Sequence, residues 1–182
     1  PSGICDLDCV ACPSKLETTR GRQLLPLETF RKFVDEAGNS LLYMILWSWG
    51  EPILNPDLPE MARYAKEHGI LTVSSTNLNR LTPAYADRLV RSGLDALIIA
   101  VDGTTPEAYG RYRKRGNFER VLENVRTLVK AKRENGSATP LLNLRMVVSR
   151  ENEDQMEAFR EMARSLGVDM VSFKAFSTRQ SG

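Results

Sequence analysis

From Leu27 to Phe176 the apolar residues switch regularly between the 3.6-residue period of a helix and the run or two-residue period of a strand, and this alternation narrows the possible folds sharply. Leu27, Phe30, Phe33 and Val34 share one helical face. Leu41 to Trp47 is a nearly unbroken apolar run, the pattern of a strand buried on both sides. Pro56 to His68 reads as a helix closed by Gly69, and Ile70 to Ser75 as a strand. Thr82 is an N-cap with Pro83 at the first helical position, and that helix runs to about Ser92 before Gly93. Ala96 to Val101 is a strand. Phe118, Val121, Leu122, Val125, Leu128 and Val129 form the strongest helical stripe, and Leu141 to Val148 is a strand. Asn152 is placed to cap a helix carrying Met156, Phe159, Ala163 and Leu166 that stops at Gly167, and Met170 to Phe176 is the last strand. Five strands with four helices between them, and one helix before the first, imply a parallel sheet with right-handed crossovers. Two closures satisfy that order, an open doubly wound sheet and a full or partial (β/α) barrel, and both place their chemistry at the C-terminal ends of the strands.

Composition fits that reading and excludes others. With 182 residues, 42% hydrophobic and 26% charged, the chain is one globular domain over residues 1–182, with no linker long enough to divide it. The net charge of +2 gives no broad basic surface for nucleic acid. No stretch approaches the roughly 20 apolar residues of a membrane span. The chain starts at Pro1 without an initiator Met or a signal-peptide pattern, and its cysteines come before any strand that would hold them. The expectation is a piece of a longer protein, trimmed before its first strand and again at the C-terminus.

The cysteines carry the chemistry. There are three, Cys5, Cys9 and Cys12, all within the first twelve residues, in the spacing C-x3-C-x2-C. An odd, tight cluster is a poor disulfide framework and a good metal site. Gly3 before it and Pro13 after it argue for a loop. A closed zinc site wants four ligands, and the single histidine, His68, sits far along the chain; zinc held with His68 or an outside ligand stays open as an alternative. An iron–sulfur cubane also takes four thiolates, so three would leave one iron open to another ligand. An open nucleotide-binding sheet is disfavoured, because no Gly-x-Gly-x-x-Gly or Gly-x4-Gly-Lys-Ser/Thr loop occurs.

A C-x3-C-x2-C loop before the first helix of a (β/α) series resembles the signature of the radical S-adenosylmethionine (SAM) enzymes, and the likeness runs from Cys5 to about Phe176. It implies an α/β fold, the parallel-sheet partial (β/α)6 TIM-like barrel of the radical SAM type. It also implies that Cys5, Cys9 and Cys12 hold a [4Fe–4S] cluster whose fourth iron is chelated by SAM. Reductive cleavage of SAM then gives a 5′-deoxyadenosyl radical that takes hydrogen from a substrate, a peptide or small molecule. The electron would come from an external flavodoxin or ferredoxin. Exposed thiols and an oxygen-sensitive cluster fit the cytoplasm.

Further motifs support the likeness. Trp47-Ser-Trp-Gly-Glu-Pro52 resembles the family's Gly-Gly-Glu segment, with Trp49 for its first Gly. The resemblance gives Gly50 the role of admitting close backbone approach to the ligand, and gives Glu51 that of accepting from the SAM ammonium; a solvated turn is the plainer alternative. Ser74-Ser-Thr-Asn77 resembles a polar strand end that meets SAM or substrate, through Ser75 and Asn77, with Leu78 where Gly is usual; an Asx turn is the alternative. Val101-Asp-Gly103 follows Ala100, where relatives carry Ser, and leaves Asp102 as a ribose candidate. Arg113 is either a partner for the SAM carboxylate or a solvated helix end. Arg145 alternates with the apolar Leu142, Leu144, Met146 and Val148, so it points into a polar lumen or snorkels to a carboxylate at the sheet edge, and Lys174 carries the same argument more weakly. Trp47 and Trp49 are either pocket walls or core. The whole pattern looks most like the core of members with a SPASM or Twitch extension, a cysteine-rich C-terminal domain that lies outside this chain.

Overall fold

The computed structural model describes residues 1–12 and 22–176; Pro13 lies outside them. Helix α1 (Leu27–Ala37) leads into a five-stranded, wholly parallel sheet of β1 (Tyr43–Ile45), β2 (Leu71–Thr76), β3 (Ala96–Ala100), β4 (Leu141–Val148) and β5 (Met170–Ala175). The strands lie in chain order, β1-β2-β3-β4-β5. A doubly wound sheet reverses its order at a switch point, so this order decides for the partial barrel. Five strands are present among the described residues, and the barrel is open.

The two faces of the sheet differ as a barrel requires. Leu97, Ile99, Leu142, Leu144 and Met146 are buried and join one core with residues of the helices α2 (Leu58–Glu67), α3 (Pro83–Arg91), α5 (Phe118–Glu134) and α6 (Met156–Leu166). The alternate positions on the other face include Ser75, Asn143, Arg145 and Ser172, a polar lining. Arg145 donates through Nε to Ser172 Oγ at 2.9 Å, and Ser172 Oγ to Asn143 Oδ1 at 2.9 Å, so it is anchored on the lumen side by neutral groups and not by an edge carboxylate.

Several local expectations need correction. Leu41 to Trp47 is not a strand buried on both sides. β1 spans three residues and, among the described residues, pairs only with β2; Tyr43 and Ile45 lie on its lumen face and are half exposed, as is Leu71 beside Tyr43. Phe33 is likewise exposed, while Phe30 and Val34 carry the buried face of α1. A fifth helix between strands, α4 (Pro106–Tyr112), follows β3. Its N-cap Thr105 accepts from Ala108 N–H, with Pro106 next, the same pair of signals as Thr82 and Pro83. Asn152 does not cap α6. Its side chain is buried, donating to the carbonyls of Asp102 and Val147 and accepting from Ser149 N–H, and a short 3₁₀ turn, Glu153–Gln155, begins the helix.

Candidate functional site

The site lies over the C-terminal ends of the strands, where Glu51, Asn77 and Asp102 follow β1, β2 and β3. The cysteine loop is tied down on both sides. Glu51 N–H donates to Ile4 C=O at 2.7 Å, Asp8 N–H to Lys114 C=O at 3.0 Å, and Val10 N–H to Tyr112 C=O at 3.1 Å. Gly50 has φ +113°, and a Cβ there would stand 2.2 Å from Ser2 C=O. Its missing side chain therefore admits the protein's own N-terminal segment.

Glu51 is not a solvated turn residue. It is 2% exposed, and its carboxylate accepts from Thr76 Oγ1 at 2.6 Å, Asn77 N–H at 2.7 Å and Ile53 N–H at 3.2 Å. Burial pushes its pKa up to about 7 against the pull of those three donors. This spends most of its accepting capacity inside the protein and locks the end of β1 to the end of β2.

Asn77 continues the chain of contacts toward the cysteines. Its Nδ2 donates to Asp6 Oδ1 at 2.9 Å and lies 3.7 Å from Cys5 Sγ, while its Oδ1 accepts from Asn79 N–H in an Asx turn. Leu78, in that turn, has φ +58°, the left-handed conformation that suits glycine, and its fully buried side chain joins the core. Asn124 Nδ2 holds Leu78 C=O at 2.7 Å. Ser75 stays on the lumen face.

On the opposite side, Asp102 is 1% exposed and already committed. It accepts from Arg113 Nε at 2.6 Å and from Val147 N–H at 2.7 Å. Arg113 is no solvated helix end. Its side chain is 13% exposed, rests over the Tyr112 ring, and brings Nη1 to 3.7 Å from Cys9 Sγ. Next to this pair a cleft of about 380 Å³ opens between the cysteine loop and the strand ends, lined by Val10, Ala11, Tyr112, Val147, Arg150 and Phe176 among others. Trp47 and Trp49 line a different groove, beside Ile45 and the N-terminal segment.

No disulfide joins the three cysteines, Cys9 being buried and Cys5 and Cys12 partly so. Burial raises the Cys5 thiol to about 11, with Glu51 and Asp6 adding to the rise and Leu7 N–H opposing it. A metal bound at Cys5 would displace that proton. Among the described residues no three His, Cys, Asp or Glu side chains converge on a single ion. His68 closes the C-terminal end of α2, just before the N-terminal end of β2 and away from the cysteine loop, so it is not placed as a fourth zinc ligand. The donor set fits a polynuclear cluster instead: three soft sulfurs on one loop, each able to take a separate iron, with N–H groups pointing at two of them.

The family model of the Radical SAM superfamily matches residues 1–163. The chain belongs to the radical SAM superfamily. This family of enzymes works with a [4Fe–4S] cluster and SAM. The PqqA peptide cyclase of Ruegeria pomeroyi is 34% identical over 181 residues, covering 96% of this chain and 46% of the relative. The AdoMet-dependent heme synthase of Methanosarcina barkeri is 29% identical over 173 residues, covering 94% and 47%. The chain thus spans about half the length of the curated relatives it matches. Among solved structures, Streptococcus suis SuiB bound to S-adenosylmethionine superposes with a TM-score of 0.78 at 15% identity, covering all of this chain and 40% of SuiB. AdoMet-bound anSMEcpe gives 0.74 at 17% identity, covering 96% and 49%. These likenesses place the radical SAM chain in the group that includes the SPASM and Twitch-type maturases, as the sequence pattern implies.

Two features of this radical SAM site carried weak signals in the sequence. Thr76 and Asp6 sit inside motifs noted for their neighbours, yet each holds a central hydrogen bond. Asn152, which props the Asp102 carbonyl, looks like a helix cap in one dimension.

Proposed function

We propose that Cys5, Cys9 and Cys12 bind the [4Fe–4S] cluster, and that the protein cleaves SAM reductively to abstract hydrogen from a peptide or small molecule. The observation that carries this reading is the loop itself: three cysteines, joined by no disulfide, held over the strand ends by backbone bonds on both sides. When bound, the cluster and SAM supply the one-electron and radical chemistry, which belongs to the cofactors. The protein's residues bind, orient and exclude water. Gly50 seats the N-terminal segment, and Glu51 fixes Thr76 and Asn77. Asn77 and Arg113 flank Cys5 and Cys9. The cleft beside Val10 and Tyr112 gives SAM an enclosed place with apolar walls, while Ser75, Arg145 and Lys174 face the lumen where a substrate would enter. Arg145 is the best-placed of these for an anionic group, since only its Nε is committed. Asp102, held by Arg113 and Val147, lines the same cleft and keeps lone pairs for a ribose contact.

Low-potential electrons from a flavodoxin or ferredoxin, and the reducing cytoplasm, complete the reading. No helix among the described residues is long and apolar enough to cross a membrane. The test is anaerobic reconstitution with iron and sulfide, followed by metal counting and EPR of the reduced protein with and without SAM. About four irons per chain, and a signal that changes with SAM, are the expected result. A Cys5→Ala variant that assembles the cluster as well as the parent refutes the assignment.

A further inference from the structure

Arg113 is held more tightly than binding a ligand at the strand ends would require. The segment Tyr112–Lys114 runs alongside the cysteine loop, accepting from Val10 N–H and Asp8 N–H, the two residues that bracket Cys9. Arg113 therefore lies opposite Cys9 by backbone registry and not by side-chain chance. Its guanidinium is then fixed at three points. Asp102 Oδ2 takes Nε at 2.6 Å, the Tyr112 ring packs against the plane with the guanidinium carbon 5.3 Å from its centre, and Nη1 faces Cys9 Sγ at 3.7 Å. Asp102 cannot swing away, because Val147 N–H donates to its other oxygen and Asn152 holds its carbonyl. A planar fork with one edge bound to a carboxylate presents its remaining N–H groups in a set direction.

We infer that Arg113, oriented by Asp102, is a positioning residue for Cys9 that donates to its sulfur and favours the reduced state of a cluster bound there. The inference rests on the reading of Cys5, Cys9 and Cys12 as cluster ligands. Its physics is that hydrogen bonds to ligand sulfurs and net charge set the potential of an iron–sulfur centre. One-electron reduction, the electron coming from a donor of the flavodoxin or ferredoxin class, adds one negative charge; a buried guanidinium beside the sulfur lowers the free energy of that added charge. The Asp102 carboxylate offsets part of this, yet it stands behind Arg113, bound at Nε, while Nη1 is the nitrogen at the sulfur.

The experiment compares the full chain with Arg113→Gln, Arg113→Lys and the double variant Arg113→Gln/Asp102→Asn. Each is reconstituted anaerobically, its iron and sulfide are counted, and its midpoint is read by EPR-monitored potentiometric titration without SAM. The expected result is normal iron content with an Arg113→Gln midpoint displaced to lower potential by a tenfold change in the reduction equilibrium, about 59 mV for one electron. Arg113→Lys, which keeps the charge, recovers part of the shift. The double variant removes the buried carboxylate left unpaired by Arg113→Gln and covers the case in which that single variant does not fold. Loaded Arg113 variants whose midpoints coincide with the parent's overturn the inference and leave the cluster assignment standing. A parent chain that takes up no iron overturns the cluster assignment, and this inference with it.

Discussion

Glu51 makes the stability of this protein depend on pH in a direction opposite to most carboxylates. Its pKa rises from 4.5 to about 7 because burial outweighs three hydrogen bonds to the carboxylate. Between those values the folded protein binds a proton that the unfolded chain has released. The stability Glu51 contributes is therefore full below pH 4.5 and is lost as pH rises through 7. The displacement corresponds to about 3 kcal/mol across the interval. Replacing it by Gln keeps the carbonyl that accepts from Thr76 and Ile53, but turns an amide NH₂ toward the Asn77 N–H, a mismatch worth about 1–3 kcal/mol at any pH. Glu51→Gln is thus expected to be less stable than the parent at pH 4 by that mismatch. It is expected to draw level with or overtake the parent by pH 8, where the parent carries a buried charge. Urea unfolding of the metal-free chain under reductant, from pH 4 to 8, measures the difference curve, in which contributions from other titrating groups cancel. A difference that stays constant within about 0.5 kcal/mol over that range refutes the claim that Glu51 is desolvated against its donors.

Other substitutions probe the same framework. Gly50→Ala sets a Cβ against Ser2 C=O in a positive-φ conformation, so it should cost at least about 1–3 kcal/mol in chemical unfolding and reduce iron uptake on reconstitution. Asn77→Ala leaves Asp6 with Arg80 alone and uncovers Cys5; mass-spectrometric alkylation kinetics of the metal-free protein should show Cys5 reacting faster while Cys12 is unchanged. Leu78→Gly relieves about 1 kcal/mol of left-handed strain but empties a fully buried site worth about 2–5 kcal/mol, so thermal melting should show net loss, not the gain that backbone conformation alone suggests.

The barrel was legible because periodicity is a one-dimensional shadow of burial. α5, with its buried Val121, Val125, Leu128 and Val129, and β4, with its alternating Leu142, Leu144 and Met146, each turn their apolar residues to one side, and their patterns name the side. β1 misled for the converse reason. An apolar run signals burial on two faces, yet Tyr43 and Ile45 lie on the lumen face, where Leu71 of the doubly paired β2 is half exposed too. α4 was missed because seven residues hold too few turns to show a stripe, although Thr105 and Pro106 announce its start as plainly as Thr82 and Pro83 announce α3.

The site divides along the same line. Cys5, Cys9 and Cys12 are close in sequence, so their spacing alone marks them as candidate metal ligands. Glu51, Asn77, Asp102 and Arg113 were legible as members of the site but not by role, because role depends on which partner each finds across the fold. Glu51 finds Asn77 N–H twenty-six residues away, and Arg113 finds Cys9 one hundred and four residues away. Sequence motifs suggest that polar residues at strand ends reach outward to a ligand; here these four spend their first hydrogen bonds on one another and on the cysteine loop. A loop without secondary structure of its own gains its rigidity this way, and a cluster whose potential must be fixed needs its ligands rigid before it binds. The polar residues of the sheet thus fall into two layers, one that holds the cysteine loop and one, Ser75, Arg145 and Lys174, that faces the lumen.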